Sequence, residues 1–150
     1  MKKIGLLLMG FFLTAASFAQ IKDPVNWLFS AKKKSATTYE VSITANIPKP
    51  WHMYSQHMKQ GGPIPTKITF NNNPLVKKEG SVKEAGKLEK INDKIFDMEV
   101  LFFSGKVVYT QLVKVKAGVK TNITGNVSYM VCDDEQCLPP SKKQFDIKLM

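Results

Sequence analysis

The feature that most constrains the fold is a nine-residue run, 39–47, in which apolar and polar side chains alternate without a fault. Successive side chains of a strand point to opposite faces, so alternation of this kind predicts a half-buried β-strand. Its buried face would consist of Tyr39, Val41, Ile43, Ala45 and Ile47. Pro48 and Pro50 end the strand, because proline cannot donate a ladder hydrogen bond.

Shorter stretches of the same kind recur along the chain, with turn signals between them. They predict strands at 51–55, 66–70, 96–103, 106–116 and 142–149, with Ser104-Gly105 as a tight hairpin between the third and the fourth. Two further sets of apolar residues each share one face: Ile123, Val127, Tyr129 and Val131, and Phe145, Ile147 and Leu149. Only 82–91 has helical character, and Gly86 disfavours a helix there. The sequence therefore predicts an all-β protein, an antiparallel β-sandwich.

The amino terminus has the pattern of a secretory signal peptide. Lys2 and Lys3 precede an apolar run, 4–16, and Ser17-Phe18-Ala19 supplies small residues for a cleavage site. The run of about 13 residues is shorter than the roughly 20 that span a bilayer. We therefore expect cleavage after Ala19, export to the periplasm or beyond, a single domain over 20–150, and no transmembrane segment in the mature chain.

The positive charge excludes one class of function. The formal net charge is +10, yet all 22 basic residues are lysine. Nucleic-acid recognition depends heavily on the bidentate guanidinium of arginine, so we expect no nucleic-acid partner. The run Lys32-Lys33-Lys34 predicts a solvated edge or loop, with contact to an anionic membrane surface as the alternative.

The two cysteines, Cys132 and Cys137, have four residues between them and lie between two predicted strands. They would flank a hairpin tip, where facing residues in a non-hydrogen-bonded pair come within disulfide reach. An exported chain meets an oxidising compartment in which such a bond persists.

Three roles are open for this pair. A loop of about six residues gains only roughly 2 kcal/mol from a disulfide, against nearly 5 for a hundred-residue loop, so a structural staple would be modest. A pair at a surface tip is accessible to an attacking thiolate, which favours redox exchange. A metal site is the least favoured, because two cysteines without clustered ligands bind zinc poorly and His52 and His57 would lie on opposite strand faces. We expect no metal and no other cofactor.

Three carboxylates, Asp133, Asp134 and Glu135, lie between the cysteines. Negative charge opposes thiolate formation and raises a thiol pKa. A reduced form without thiolate stabilisation holds its electrons weakly, so the hypothesis is that the pair donates electrons. The alternative is an ordinary solvated turn.

The pattern Tyr-x-x-Cys-x4-Cys-x-Pro-Pro over 129–140, together with Trp51-His52-Met53-Tyr54 and the strand-rich body, resembles a known family. It is similar to the amino-terminal periplasmic domain of the thiol:disulfide interchange protein DsbD, over about 27–149. The best-known members have five residues between the cysteines, where this chain has four.

The resemblance implies an immunoglobulin-like sandwich that passes electrons from a membrane-embedded donor to periplasmic thioredoxin-fold oxidoreductases, including those of cytochrome c biogenesis. By the same resemblance, Cys137 is the cysteine that links to the partner, and Cys132 resolves the mixed disulfide. A cap loop shields the pair in this family, which points to Phe96, or Ile95, as the cap. His52 and Tyr54 resemble the family's packed tyrosines, although Tyr54 and Phe96 could equally be plain core residues.

Since the chain ends at Met150, we expect the membrane electron donor to be a separate protein. The chain would then be a thiol-disulfide exchange component of protein-disulfide reduction and not a stand-alone catalyst. The alternative is a non-redox, immunoglobulin-like binding module whose disulfide only fixes a recognition loop.

Overall fold

The computed structural model of the chain describes residues 23–93 and 96–150. In these two ranges the chain forms nine β-strands and no helix. The strands are β1 (Asn26–Lys33), β2 (Thr38–Ile47), β3 (His52–Tyr54), β4 (Lys67–Phe70), β5 (Lys77–Asp93), β6 (Met98–Lys114), β7 (Thr121–Tyr129), β8 (Val131–Cys132) and β9 (Ser141–Leu149). The expected signal peptide, 1–19, lies outside the described residues.

Two antiparallel sheets form a sandwich, as predicted. The smaller sheet has the order β4-β7-β9. The larger sheet is built around the long strand β6, which pairs with β5 along one edge. Along its other edge β6 pairs first with β3 and then with β2, so that β3-β8 and β2-β1 extend the sheet side by side.

The core lies between the two sheets, and its residues are the ones that the alternation predicts. All five predicted positions of β2 are buried at 3% exposure or less. The predicted faces of β7 and β9 are buried as well. Val131, predicted on the same face as Tyr129, is buried too, but it lies on β8 of the larger sheet. Burial of these side chains, at roughly 25 cal/mol per Å² of apolar surface, is the main term that holds the two sheets together.

The predicted hairpin at Ser104-Gly105 is wrong. The chain continues through these residues as one strand, β6, and reverses direction instead between Asp93 and Met98. Gly105 has a φ of +83°, and the register of β5 against β6 shifts at this point. A glycine with positive φ serves a β-bulge as readily as a turn. Here the bulge marks the place where β6 changes its partner from β3 to β2.

Two strands of the larger sheet were not predicted. Residues 82–91, which have helical character in sequence, are extended within β5. Strand β1 lies at the edge of the sheet, and Lys32 and Lys33 form its exposed end. The lysine run is therefore at a solvated edge, as expected.

Across 23–93 and 96–150, the structure contains no helix that is both long and apolar enough to cross a bilayer.

Candidate thiol-disulfide site

The cysteines lie on an excursion of the chain between the two sheets. Strands β7 and β9 pair up to Tyr129 and Ser141. Between these residues the chain leaves the smaller sheet, and β8 joins the larger one, where Cys132 pairs with His52 and Val131 with Met53. The excursion therefore anchors one cysteine in a sheet and leaves the following residues free to form a small hairpin.

Two backbone hydrogen bonds, one on each side of the cysteine pair, close that hairpin. The Asp133 N–H donates to the Gln136 carbonyl at 2.9 Å, and the Leu138 N–H donates to the Val131 carbonyl at 2.9 Å. The pair between them, Cys132 and Cys137, forms a disulfide with its Cα atoms 4.0 Å apart. The predicted disulfide at a non-hydrogen-bonded hairpin position is thus confirmed.

The two cysteines differ sharply in exposure. Cys132 is 2% exposed, because its side chain packs among apolar side chains on the outer face of the larger sheet. Cys137 lies on the returning arm of the hairpin and is exposed to solvent. An attacking thiolate must approach one sulfur of a disulfide directly. Of the two residues, Cys137 is the accessible one.

Cys132 belongs to a small apolar group on the outer face of the larger sheet, which we call the outer cluster. Its buried members are Tyr54, Val100 and Cys132, and the half-buried side chains around them are Met58, Met98, Phe102 and Met130. The sandwich core is on the other side of the sheet and contains the intervening residues Met53 and Val131. The disulfide is therefore packed outside the main core.

Of the outer cluster, sequence reasoning named Tyr54 and Cys132 but missed the rest. Met98, Val100 and Phe102 occupy alternate positions of a predicted strand, so the sequence already indicates that they share one face. Met58 and Met130 lie outside the β-strands, and no periodic signal marks them. Methionine is flexible and polarisable, which suits it to fill the irregular space around a disulfide.

His52 lies beside this cluster, half-buried. Its ring centroid is 4.7 Å from that of Phe102 and 5.5 Å from that of Tyr54. The Tyr54 hydroxyl oxygen is 3.4 Å from Nε2 of His52. Aromatic contacts on two sides and this polar contact fix the ring next to the buried cysteine.

Burial governs the protonation of both rings. It lowers the pKa of the His52 imidazole below its ordinary 6.5, because an imidazolium loses hydration there. Four carboxylates act in the opposite direction and are Asp134, Asp133, Glu89 and Asp93. Burial also raises the pKa of Tyr54 to about 12, and the nearby Asp93 charge adds to the shift. At neutral pH, Tyr54 is a protonated phenol.

A buried carboxylate on the core side of β5 fastens the loop that follows β3 to that strand. Glu84 of β5 accepts a hydrogen bond from the Ser55 hydroxyl and another, of 3.0 Å, from the Gln56 N–H. Its side chain is 7% exposed. The Thr66 hydroxyl closes the far end of the loop by donating to the Tyr54 carbonyl at 2.6 Å. Met58 is carried on this loop and is thereby held against the cluster.

Replacing Glu84 with alanine should therefore lower the free energy of unfolding by about 1–3 kcal/mol, because it leaves the Ser55 hydroxyl and the Gln56 N–H without their acceptor. Urea unfolding followed by tryptophan fluorescence measures the change. The control is Glu99→Ala, a truncation of an exposed glutamate on β6, for which we expect a change within about 0.5 kcal/mol. Equal losses in the two variants would show that Glu84 does not anchor the loop.

The three carboxylates between the cysteines have different surroundings. One carboxylate oxygen of Asp133 accepts the N–H groups of Glu135 and Gln136 at 2.9 and 2.8 Å, and so shapes the turn. Asp134 is exposed and lines an open groove of about 530 Å³ together with Trp51 and Lys87. Glu135 is exposed at the tip.

Of the two candidates for the cap, Ile95 lies outside the described residues. Phe96 is at the tip of the β5–β6 hairpin, where its N–H donates to Asp93 at 3.1 Å, and its side chain is 37% exposed. Two residues further on, Met98 packs against the outer cluster. The start of β6, at Met98, is therefore the part of this hairpin that lies at the cysteine site.

Within the described ranges, no three histidine, cysteine, aspartate or glutamate side chains come together in a group that could hold a metal ion.

Comparison with known proteins finds a matching family model and similar solved structures. The family model described as "Thiol:disulfide interchange protein DsbD, N-terminal" matches residues 20–149. The reduced N-terminal domain of DsbD from Neisseria meningitidis is similar in structure, with a TM-score of 0.49, 18% identity, and 75% of this chain and 84% of that one covered. The N-terminal periplasmic domain of ScsB from Proteus mirabilis gives 0.51 and 11% identity, and the match covers 83% of this chain but only 44% of that one. No curated protein matches the sequence.

Proposed function

Because the chain belongs to the family of DsbD N-terminal domains, a thiol:disulfide interchange family, we propose that it exchanges its Cys132–Cys137 disulfide with partner proteins. The observation that carries the proposal is the contrast between the two cysteines. Cys137 is exposed at a hairpin tip, and Cys132 is buried directly behind it. Such an arrangement directs an incoming thiolate to one sulfur and keeps the other as an internal leaving group.

Electrons would enter the domain through Cys137. A thiolate of the donor attacks Sγ of Cys137, and the electron pair of the broken bond leaves with Sγ of Cys132. A second donor thiol then attacks the donor's own sulfur in the mixed disulfide and releases Cys137 as a thiolate. The donor is oxidised to a disulfide, and the domain is reduced to two thiols.

Electrons would also leave the domain through Cys137. The Cys137 thiolate attacks the disulfide of the acceptor and forms a mixed disulfide, while the acceptor's second sulfur leaves as a thiolate. Cys132 then attacks Sγ of Cys137, which restores the internal disulfide and releases the acceptor with both its sulfurs reduced. The short hairpin suits this step because it keeps Cys132 and Cys137 adjacent.

The family assignment supports the class of the partners. We propose that the acceptors are thioredoxin-fold oxidoreductases, that the donor is a membrane protein, and that the domain works in the periplasm or outside the cell after cleavage behind Ala19. The ScsB domain to which it is similar is periplasmic. Reduction of proteins in cytochrome c biogenesis is one route that such partners would serve.

The surroundings of the pair support net donation of electrons. The charges of Asp134 and Glu135, and of Asp133 within the turn, oppose thiolate formation and so weaken the hold of the reduced form on its electrons. By the family resemblance, Phe96, or Ile95, would shield the cysteines between encounters. His52 and Tyr54 would complete that shield from the β3 side.

A trapping experiment tests the assignment of roles. The partner is a variant thioredoxin-fold protein that retains only one reactive cysteine. That cysteine is activated as a mixed disulfide with thionitrobenzoate. In the Cys132→Ala variant, Cys137 should displace thionitrobenzoate and form a stable adduct, visible on a non-reducing gel. The Cys137→Ala variant should give little adduct, because Cys132 is buried.

Both variants lack the disulfide equally, so each serves as the stability control of the other. An adduct through Cys132 alone would reverse the assignment. The absence of an adduct in both variants would contradict the exchange function and favour a binding module with a structural disulfide.

A further inference from the structure

The pairing of β3 with β8 places a histidine directly opposite the buried cysteine. His52 and Cys132 are partners in the antiparallel register. Partners of this kind have side chains on the same face, with Cβ atoms about 4.5–5.5 Å apart. Neither the disulfide nor the sandwich core requires an imidazole at this position, and Tyr54 and Phe102 provide the aromatic surface around it.

We propose that His52 accepts the proton of the Cys132 thiol when Cys132 resolves the mixed disulfide, and supplies a proton taken up from solvent when Cys132 leaves as a thiolate. This role rests on the proposed exchange function. It is specific to the buried cysteine, because the exposed Cys137 can lose its proton to water, whereas a thiolate in an apolar cluster needs a neighbouring group to form.

The proton and electron balance of the step is simple. The Cys132 thiol transfers its proton to the neutral His52 ring and becomes a thiolate beside an imidazolium. Its electron pair forms the bond to Sγ of Cys137, while the bond from Cys137 to the partner's sulfur breaks and the partner leaves as a thiolate. The domain is oxidised, the partner is reduced, and His52 passes the proton to solvent.

The contacts of the ring suit both of its charge states. The Tyr54 hydroxyl is 3.4 Å from Nε2. Its oxygen can accept the Nε2–H of the neutral ring, which leaves the lone pair of Nδ1 for the thiol proton, and it can still accept from Nε2–H of the imidazolium. The charged groups that face the ring come from two elements, Asp133 and Asp134 of the cysteine hairpin and Glu89 and Asp93 of β5. These carboxylates stabilise the imidazolium once it forms.

The resting state of the ring also supports the role. Burial lowers the pKa of His52 below 6.5, so the ring is neutral and able to accept a proton at pH 7. As the pH falls through this lowered pKa, His52 becomes protonated and the resolving step slows. An unassisted thiol, with a pKa of about 8.5, would be only about 3% thiolate at pH 7.

The experiment measures resolution separately from attack. Reduced domain is mixed with dithiobis(nitrobenzoate) in a stopped-flow instrument, and each displacement releases one coloured thionitrobenzoate. The first release reports attack by Cys137, and the second, intramolecular release reports attack by Cys132. Three variants are compared with the unmodified domain from acidic to alkaline pH: His52→Gln, His52→Tyr, which keeps an aromatic ring, and His57→Gln, the same change at an exposed histidine.

In the unmodified domain and in His57→Gln, the second release should accelerate through an inflection below pH 6.5 and be fast at pH 7. Both His52 variants should lose that inflection, rise only near the thiol pKa, and be about tenfold slower at pH 7, within the roughly 30-fold that full ionisation can give. Circular dichroism verifies that each variant is folded.

Unchanged pH profiles in both His52 variants would overturn the role of His52 and leave the exchange function intact. A folded, reduced domain that releases no thionitrobenzoate at all would contradict the exchange function itself. A slower second release with an unaltered inflection would assign His52 a packing role only.

Discussion

Alanine in place of Gly125 should cost about 3–5 kcal/mol of unfolding free energy, a large part of the 5–15 kcal/mol that a domain of this size has. Gly125 is in the middle of β7, opposite Phe70 of β4 and Phe145 of β9. A Cβ atom there would overlap the Thr69 carbonyl oxygen and lie 2.6 Å from Cζ of Phe145. The backbone of β4 cannot rotate away from the added methyl group as a flexible side chain could. Strand β4 would therefore have to separate from β7.

Urea unfolding of the two glycine variants Gly125→Ala and Gly61→Ala measures this effect against a matched control. Gly61 has a φ of +97° with no heavy atom within 4 Å of the added methyl group. Its replacement adds only backbone strain of about 1–2 kcal/mol. Similar losses in both variants would mean that the close contact of β4 with β7 does not stabilise the smaller sheet.

Reduction of the Cys132–Cys137 disulfide should proceed under native conditions and leave the sandwich folded. The attacked residue, Cys137, is exposed, so we expect a small dithiol to reach its sulfur without unfolding of the domain. The bond closes a loop of about six residues, and its loss removes only about 2 kcal/mol of chain-entropy stabilisation. Met53 and Val131, which lie beneath the site, belong to the main core and keep their contacts in either redox state.

The sequence predicts a strand best when its apolar and polar residues alternate and only one of its two faces is buried. Strand β2 shows this most clearly, since its apolar residues, from Tyr39 to Ile47, all face the core. Strand β1 is harder to recognise because Leu28 is apolar and yet 62% exposed, which spoils the alternation. An apolar side chain on the solvent side of an edge strand leaves no periodic trace.

Strand β5 and the continuity of β6 could not be predicted, for a related reason. Strand β5 is rich in charged residues and mostly exposed, and register shifts between Glu79 and Lys83 and between Gly86 and Leu88 interrupt its pairing with β6. A strand that has no continuous buried face lacks the period-two pattern of apolar residues by which a strand is recognised. On β6, Ser104-Gly105 has the composition of a turn, and only its pairing with neighbouring strands shows that it is a bulge.

The features of the candidate site also fall into two groups, those that the sequence predicts and those that only the structure shows. The disulfide and its hairpin follow from the spacing of Cys132 and Cys137, a local property. The outer cluster depends on long-range pairing, because β3 and β8 are almost 80 residues apart in sequence and meet only within the larger sheet. Tyr54 could be named from its resemblance to a family motif, whereas Met58 and Met130 required the structure.

The most direct test of the account is to count thiols in the native protein. Oxidised domain is incubated with dithiothreitol at neutral pH, quenched with acid, labelled with a maleimide and weighed by mass spectrometry, while circular dichroism follows the fold. We predict two labels per molecule within minutes, with an unchanged β-sheet spectrum. Labels that are acquired only in denaturant would show that the bond is a structural staple, and would contradict electron transfer through Cys137.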